Sequence, residues 1–450
     1  MIAEAAKTGR LEVGRATLGA TFAALVVASA FLGIEIDAGP LKVRPFDFLL
    51  GLALFVTVLP ALSEGRFPRV PVIGALVAFG MLAAYTAVNA ISRGMLTITI
   101  VNSIQAAEFF LFYVVLCSAL RTPAHRRAFM GAITFFFWVL ALGTAALHIS
   151  VGIYGGYKLF DEPKLVFGLL AALMMARFLG SLKPATLLSS ALVVGAVVLM
   201  VLSGERKGWI AFAAAVVALL LTGHLKRLGR AAALRTVTLG SLAVVALAGA
   251  LALSAQNPYV AKQLDSFGFL AEVVTEGTDN ADSAATTRSN AQRLMLAGQG
   301  IEAFKEEPVF GIGPTTFKSW VQARVGASEE VKVQGVHNEY LRHLAELGLI
   351  GLALYVLIWL LALKAVRDRW RWARQGLLPR EDLPFLSWAT VFTVYSSIIM
   401  FFLTDGATSW ALLFTTMALL ASLRPVRQTT APRAMRPTPA LSLYGHAVLP

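Results

Sequence analysis

The chain has 450 residues, of which 57% are hydrophobic and only 14% are charged, and its formal net charge is +13. A water-soluble protein usually carries about 25% charged residues. This composition excludes a soluble globular protein and predicts an integral membrane protein, in which the positive charge follows from topology and needs no nucleic-acid partner.

Hydrophobic residues are grouped into twelve segments separated by polar residues. Most are long enough to cross ~30 Å of hydrocarbon as helices. The strict alternation of a membrane β-barrel strand is absent. The predicted fold class is therefore an all-α polytopic membrane protein with about twelve transmembrane helices. The segments lie near 16–34, 46–61, 71–90, 99–120, 128–149, 165–180, 186–203, 208–223, 236–254, 346–363, 385–403 and 406–423.

The charges predict how these segments are oriented. Residues 1–15 are polar and basic, and no cleavage site follows the first apolar segment, so we expect a retained first helix and a cytoplasmic N-terminus. In that topology 24 of the 39 Lys and Arg residues lie in cytoplasmic segments, in agreement with the positive-inside rule. The tail, 424–450, is also cytoplasmic; it is rich in Pro, Ala and Arg and is predicted to be disordered.

The predicted organisation has four parts. Transmembrane helices 1–9 occupy 1–254, one large extramembrane loop on the outer side occupies 255–345, and helices 10–12 occupy 346–423, before the tail. The loop is expected to be mainly helical, with a first helix over 286–308, a Gly/Pro turn over 309–317, and a second helix that begins near 337 and continues into the tenth span.

Arg206 and Lys207 are adjacent cations between the seventh and eighth spans, on the side away from the cytoplasm. Charge at this position opposes the positive-inside trend, and interfacial charge generally has a partner or a function. The structural alternative is that both side chains extend to lipid headgroups.

Arg288 lies near the start of the first loop helix, where the helix dipole does not favour a cation. A solvated surface charge or a pair with Asp282 would also explain it.

His337, followed by Asn338, lies where the second loop helix is expected to begin. A helix N-terminus keeps an imidazole neutral, as a general base requires. A hydrogen-bonded structural histidine is the alternative. His343 is six positions further on and does not share a helix face with His337, so the spacing of a zinc pair is absent. The single Cys117, an apolar packing residue, excludes a CxxC metal site.

Two stretches resemble the O-antigen ligase and polymerase superfamily. The first is LSGERKGWIAFA. The second combines FKEEPVFGIGPTTF with VHNEYLRHLAELGLIG; it has the family pattern Pro-x-x-Gly-x-Gly-x-x-x-Phe, then His-Asn with Leu341, Glu346 and Gly348 at matching spacings. The resemblance covers about 190–365, and its motifs are similar to those of the O-antigen ligases. It implies a GT-C-like glycosyltransferase.

The resemblance also implies a reaction and a set of site residues. The reaction is transfer of a glycan from an undecaprenyl-diphosphate carrier to a sugar hydroxyl of lipid A–core, in the bacterial inner membrane, with the site and the large loop facing the periplasm and both termini cytoplasmic. No metal, nucleotide sugar or other cofactor is expected. His337 and Arg288 would be catalytic, and Arg206, Lys207, Arg288 and Asn338 would bind the diphosphate.

These residue types suit that chemistry. Breaking the anomeric C–O bond leaves a diphosphate whose negative charge grows in the transition state, and arginines bind phosphate oxygens in pairs of hydrogen bonds. A neutral histidine can deprotonate the incoming sugar hydroxyl. One base and one cationic clamp fit a single displacement with inversion. A carboxylate, Glu205, Asp282 or Glu339, could assist or replace the base.

Several functions stay open on the sequence alone. An O-antigen polymerase would use the same donor with a glycan acceptor, and a protein O-oligosaccharyltransferase would use a Ser or Thr side chain. A transporter of a lipid-linked substrate belongs to a different class, but no two-half repeat is visible. A ligase is the leading hypothesis.

Overall fold

A computed structural model of the chain describes helices and their close connections. The described residues are 17–32, 36–38, 41–59, 62, 71, 73–151, 163–180, 186–202, 206–222, 283–325, 336–402 and 406–425. The predicted ninth span, 236–254, and the tail beyond 425 lie outside the described residues.

Helices account for nearly all of the described structure. They are α1 (Thr17–Ser29), α2 (Pro45–Thr57), α3 (Gly74–Ser92), α4 (Leu96–Ala119), α5 (Pro123–Val151), α6 (Pro163–Gly180), α7 (Leu187–Leu202), α8 (Arg206–Leu221), α9 (Ser283–Glu306), α10 (Phe317–Val325), α11 (Glu339–Arg374), α12 (Leu383–Ile399) and α13 (Gly406–Ser422), with a 3₁₀ turn at Arg380–Asp382.

Four of the described helices are long and apolar enough to cross a membrane: α3, α4, α5 and α11. Six shorter apolar helices of 10–17 residues accompany them. Eleven of the twelve predicted segments contain or overlap a described apolar helix. The helical class is therefore confirmed, while the count of twelve crossings remains a prediction.

A small hairpin is the exception to the all-helical prediction. Strands β1 (Ile36–Ala38) and β2 (Leu41–Val43) pair in antiparallel fashion, with Ile36 opposite Val43. The pair lies between α1 and α2. Gly39 and Pro40 separate the strands in the sequence, and such a dipeptide favours a turn over continued helix.

The helices pack into one apolar core. The broadest contacts join α11 to α3, α12 to α8 and to α6, α6 to α7, and α13 to α4. The largest fully buried side chains include Trp388, Tyr113 and Tyr395. Because the same apolar surface can face either lipid or protein, small residues and close backbone approaches determine which helix faces meet.

A close approach of this kind positions α8, which begins at the predicted Arg206. A Cβ built on Gly168 of α6 would lie 3.0 Å from the Cα of Gly208 and 2.5 Å from the hydroxyl of Tyr395. That hydroxyl donates to the Leu165 carbonyl oxygen at 3.2 Å. Gly208 belongs to the motif noted in the sequence, and here its lack of a side chain permits the contact between α6 and α8.

A buried ion pair closes the end of the bundle where α11 terminates. The Arg126 guanidinium of α5 donates two hydrogen bonds to Asp382 Oδ1 (2.7 and 3.0 Å) and one to Oδ2 (2.6 Å). It also donates to the carbonyl oxygens of Leu120 (3.1 Å) and Ser422 (3.2 Å). Both charged side chains are buried, so the pair ties α5, the 3₁₀ turn and α13 together.

Candidate active site

The predicted diphosphate ligands Arg206 and Lys207 are the first two residues of α8. The Trp209 indole N–H donates to the Met200 carbonyl oxygen of α7 at 3.0 Å, which fixes the start of the helix. Lys207 is half-buried and interacts with neighbouring residues. The side chain of Arg206 lies outside the described part of the chain, so its role remains a prediction.

Arg288 lies in the second turn of α9 and not in the first. The predicted helix, 286–308, begins three residues earlier in the structure, at Ser283, and ends at Glu306. Alanines 284 and 285 are strong helix formers and extend the helix toward its N-terminus. The Arg288 side chain is also outside the described part, and its contact with substrate stays a prediction.

The described part of the large loop has a small hydrophobic core of its own. Helices α9 and α10 pack against the first turns of α11, and a Cβ on Gly300 would lie 3.1 Å from Leu341 Cγ. The helical character expected for this loop is therefore present in the described residues. The core residues are Leu296, Ala303, Ile312, Phe317, Val321, Val336 and Ala345.

His337 immediately precedes α11 and has a left-handed backbone, with φ at 52°. Asn338 is the N-cap of that helix, and its Oδ1 accepts a hydrogen bond from the Leu341 backbone N–H at 3.0 Å. The predicted helix start is thus confirmed, and Asn338 has a capping role that satisfies an otherwise unpaired helix N–H. His337 is half-buried beside this cap.

Helix α11 is interrupted at Gly348, whose φ of 66° and ψ of −163° are not helical. The segment 308–313 supplies the hydrogen bonds that the interruption removes. The backbone N–H groups of Ile312 and Gly313 donate to the carbonyl oxygens of Ala345 (3.0 Å) and Glu346 (2.9 Å). Within a membrane, such a break is tolerated only where other protein groups satisfy the freed backbone.

The break also requires glycine on both sides of the contact. A Cβ on Gly348 would lie 2.3 Å from the Val309 carbonyl oxygen, and one on Gly311, at φ 71°, would lie 2.3 Å from the Glu346 carbonyl carbon. The Leu349 N–H donates to the Pro308 carbonyl oxygen at 2.9 Å. The Gly-x-Gly segment and the glycine after Glu346, read from the sequence as a motif, are therefore one backbone joint.

The end of α3 clamps this joint from the side. The Arg93 guanidinium pairs with Glu307 and donates to the carbonyl oxygens of Gly311 and Ile312. One turn earlier, the Asn89 amide donates to the Phe310 carbonyl oxygen at 2.7 Å.

Tyr85, a further turn back, donates from its hydroxyl to the Leu347 carbonyl oxygen at 3.0 Å. Three side chains on one face of α3 thus hold the loop and the broken helix together.

Glu346 connects the joint to the following turn. Its Oε1 accepts from the Phe317 backbone N–H at 3.3 Å, and the Thr315 N–H also hydrogen-bonds to it. Thr315 has a φ of 61°. Among described residues other than glycine, Thr315 and His337 have positive φ, and both lie in the motif region. Backbone strain of this kind concentrates at functional sites.

A cavity of about 380 Å³ lies between α3, α4, α11, α13 and the turn at Pro314 and Thr315. Its volume is within the range of ligand-binding pockets. Phe79, Phe109 and Trp410 form an aromatic wall. The polar groups on the cavity lining include Asn102, Ser103, Gln105, Arg342, His343 and Glu346.

Arg342 and His343 were not among the predicted site residues, and His343 does not share a helix face with His337. However, Glu339, Arg342, His343 and Glu346 have the i, i+3, i+4, i+7 spacing of a polar stripe at the mouth of a span. This spacing is the sequence feature from which both residues could have been predicted. Of the predicted site residues with described side chains, Lys207, His337 and Asn338 are not part of the cavity lining.

Glu339, one of the carboxylates considered as an assisting group, is buried and already engaged. Its Oε2 pairs with the Arg342 guanidinium at 2.6 Å, and its Oε1 accepts from the Ser409 hydroxyl at 3.3 Å. Its position supports a role in orienting Arg342. Glu205 and Asp282 lie outside the described residues.

Comparison with known proteins bears on these motifs directly. Residues 191–356 match the family model described as O-antigen ligase. This central part of the chain is therefore similar to the O-antigen ligase family. No curated protein gives a match to the chain.

The segment shared with the O-antigen ligase family runs from α7 into the first half of α11. It therefore includes the start of α8, the helix that carries Arg288, the Gly348 joint and the His337–Asn338 cap. The match supports a glycosyltransferase-type ligase or polymerase activity on a lipid-linked glycan at a membrane. The joint and the cap are the parts of that region whose geometry the structure describes most fully.

Proposed function

We propose that the protein is an O-antigen ligase, which transfers O-antigen polysaccharide from an undecaprenyl-diphosphate carrier to a sugar hydroxyl of lipid A–core. The observation that carries this proposal is the extent of the family match. Residues 191–356 include Arg206, Lys207, Arg288, His337 and Asn338, all of the positions that the sequence motifs assigned to the site.

The proposed roles follow from charge and proton chemistry. Arg206 and Arg288, with Lys207, bind the donor diphosphate and stabilise the charge that grows on it as the anomeric bond breaks. His337 removes the proton from the acceptor hydroxyl, which attacks the anomeric carbon with inversion. No metal ion or nucleotide sugar takes part in this scheme.

The backbone at His337 supports its assignment as the base. Its left-handed conformation and the Asn338 cap place the residue at the N-terminus of a long helix. Strained residues persist where the surrounding structure holds them, and this arrangement pre-organises a catalytic group. Asn338 contributes to the site by holding the helix start in place.

The proposed location is the bacterial inner membrane, with the loop and site in the periplasm and both termini in the cytoplasm. Four described helices of sufficient length and the distribution of Lys and Arg along the chain support this orientation. A lipid-linked donor and a lipid-linked acceptor in the same leaflet then meet at the site as two oriented reactants, which lowers the entropic barrier.

The experiment is transfer with purified protein and both lipids. For His337→Ala we expect a loss of about 10²–10⁴-fold in turnover, the usual contribution of a general base. For Arg288→Ala we expect about 10²–10³-fold, as for loss of one group that stabilises transition-state charge. Near-normal turnover in either variant, with the protein folded, would remove that residue from the mechanism.

The matched control is Arg127→Ala, an exposed residue at the start of α5. It should retain turnover within about twofold, since surface changes away from a site have small effects. The product of the transfer reaction identifies the acceptor. Polymer on lipid A–core supports the ligase, whereas polymer growth on the carrier indicates a polymerase and glycan on a Ser or Thr peptide indicates an O-oligosaccharyltransferase. Movement of the lipid without transfer would indicate a transporter.

A further inference from the structure

The cavity bounded by α3, α4, α11 and α13 contains a buried polar atom whose role the proposed mechanism leaves open. His343 is only 5% exposed, and among the described residues its Nε2 has no hydrogen-bond partner. The nearest carboxylate oxygen, Glu339 Oε2, is 3.8 Å away, beyond hydrogen-bond distance. Buried polar groups in native proteins are nearly always hydrogen-bonded, so such an atom on a cavity wall points to a ligand group inside the cavity.

The His343 ring is held in place by aromatic contacts. It packs against the Tyr355 ring with centroids 4.2 Å apart, and the Trp410 ring lies 6.4 Å away at 70°. Trp410 in turn contacts Phe79, with centroids at 5.2 Å and an edge-to-face geometry. The imidazole therefore has little freedom to turn toward another partner.

The charges on the cavity lining disfavour an anionic ligand. Arg342 lines the cavity, but its guanidinium is paired with Glu339 at 2.6 Å. Glu346 also lines the cavity and accepts backbone hydrogen bonds from the Thr315–Phe317 turn. One paired cation beside carboxyl groups gives no net positive charge, whereas a diphosphate site needs an excess of cations.

The remaining groups suit a neutral sugar. Asn102 and Gln105 of α4 present amides, and Ser103 presents a hydroxyl, on the wall that the α4 helix contributes. Amide, hydroxyl and imidazole groups exchange hydrogen bonds with sugar hydroxyls, and the apolar face of a sugar ring can pack against an indole. A mainly apolar pocket with a few convergent polar groups is the usual form of a small-ligand site.

We infer that this cavity binds a neutral sugar ring that packs on Trp410 and hydrogen-bonds to His343 Nε2. This inference rests on the proposed glycosyl transfer, because the ring belongs to the acceptor core or to the donor glycan. His343 lies about 8 Å along the α11 axis from the Asn338 cap. A saccharide in the cavity would therefore extend past the first turn of α11 toward His337.

The first test measures KM for each lipid in the purified full-length protein. In His343→Phe, which removes the hydrogen bond, and in Trp410→Ala, which removes the packing surface, we expect KM for one lipid to rise about tenfold with kcat within about threefold. His343→Gln and Trp410→Phe, which keep an amide and an aromatic ring, should restore most of the loss. A raised KM for lipid A–core assigns the acceptor, and a raised KM for the lipid-linked glycan assigns the donor. Unchanged KM for both lipids in His343→Phe and Trp410→Ala would overturn the inference.

The second test does not depend on turnover. Cys117 is the one cysteine of the chain, so Cys117→Ala provides a background for a single introduced thiol. Ser103→Cys places that thiol on the cavity wall, and Ser319→Cys, on an exposed face of α10 outside the cavity, is the matched control. Maleimide labelling is followed with core oligosaccharide, with released O-antigen polysaccharide, and without either.

We expect one saccharide to slow labelling of Ser103→Cys several-fold and to leave labelling of Ser319→Cys unchanged. Protection by a saccharide in a His337→Ala background, where transfer is lost, separates binding in the cavity from catalysis. If transfer proceeds normally and neither saccharide protects Ser103→Cys, the proposed function stands and the cavity inference is wrong. If a saccharide protects Ser103→Cys but the wild-type protein shows no transfer, the cavity inference stands and the proposed function is wrong.

Discussion

The two ends of α11 bury charged residues in opposite ways. Where the helix terminates, Arg126 and Asp382 satisfy each other, and two carbonyl oxygens accept the remaining guanidinium hydrogens. Where it begins, the polar stripe that includes Arg342 and His343 borders a cavity, and the helix is interrupted at Gly348, two residues after Glu346, the last member of the stripe.

This difference separates a closed polar network from an open one. A network whose hydrogen-bonding groups are all satisfied internally adds rigidity and leaves nothing for a ligand. At the other end, His343 lines a cavity and its Nε2 has no hydrogen-bond partner among the described residues, while two residues of the neighbouring motif have strained backbones. Substitutions at the closed end should therefore affect stability more than turnover, and those at the open end the reverse, apart from the glycine joint.

The largest expected effect on stability comes from opening the closed end. Arg126→Ala leaves Asp382 as a buried, unpaired carboxylate, and loss of one partner of a buried pair costs about 3–5 kcal/mol. The measurement is SDS-induced unfolding of purified protein in mixed micelles.

Arg127→Ala is the matched control, one residue further along α5. Its pair with Glu381 is 2.9 Å long but both side chains are more than half exposed, so we expect a change of about 0–1 kcal/mol. Equal losses in the two variants would show that the Arg126–Asp382 network does not carry the stability assigned to it.

The next effect comes from the glycine joint at the open end. Gly348→Ala places a Cβ 2.3 Å from the Val309 carbonyl oxygen at a φ of 66°. The backbone conformation alone costs about 1–3 kcal/mol in a residue with a side chain. Because the joint sits between the cavity and the motif turn, we expect both lower stability and lower turnover per folded molecule.

Gly298→Ala tests whether the effect is specific to the joint. Gly298 lies within α9, and a Cβ there has no atom within 4 Å. Alanine is the better helix former, so this variant should be neutral or more stable by about 0.5–1 kcal/mol. A Gly348→Ala protein as stable and active as Gly298→Ala would contradict the account of the break.

The smallest effect is a pH dependence in the loop. Burial raises the pKa of the Glu306 carboxyl, but hydrogen bonds from Arg324 and Trp320 outweigh it and hold the pKa below its ordinary value of 4.5. A lowered folded-state pKa contributes stability that is present above the ordinary value and is lost as the pH falls through the lowered one. The stability that the Glu306 contact contributes should therefore be lost only as the pH falls below 4.5.

The measurement is unfolding as a function of pH for wild type and Glu306→Gln. The wild type should be the more stable protein above pH 4.5, and the two curves should converge below the lowered pKa. In an Arg324→Ala background the same substitution should have less effect, because the main hydrogen-bond partner has been removed. A constant difference at every pH would mean that the Glu306 charge is not the cause.

Much of the helical framework was predictable from local sequence. Apolar segment length predicted helices where α3, α4 and α11 lie, and the His-Asn-Glu stretch predicted the start of α11 at its observed cap. The helix around Arg288 was placed within three residues at each end. Hairpin residues Ile36–Val43 were missed because each strand has only three residues, too few to show a period.

The site was predictable only as a set of motifs. His337 and Glu346 could be read from residue type and spacing, and the family match covers both. His343 was not predicted as a site residue, because it does not share a helix face with His337. What makes His343 notable is its place between Tyr355, Trp410 and a cavity, and that arrangement depends on α13 and α3, far away in the sequence.

The sequence by itself determined the membrane class, the positions of most helices and the resemblance to the O-antigen ligase family, because hydrophobic length, capping residues and motif spacing are local properties of the chain. Only the tertiary structure decided where α11 breaks and which polar side chains border a cavity. A glycine within a helical pattern is compatible with an unbroken helix. The helix breaks at Gly348 because the backbone of 308–313, held by Arg93 and Asn89, supplies the hydrogen bonds that the helix gives up.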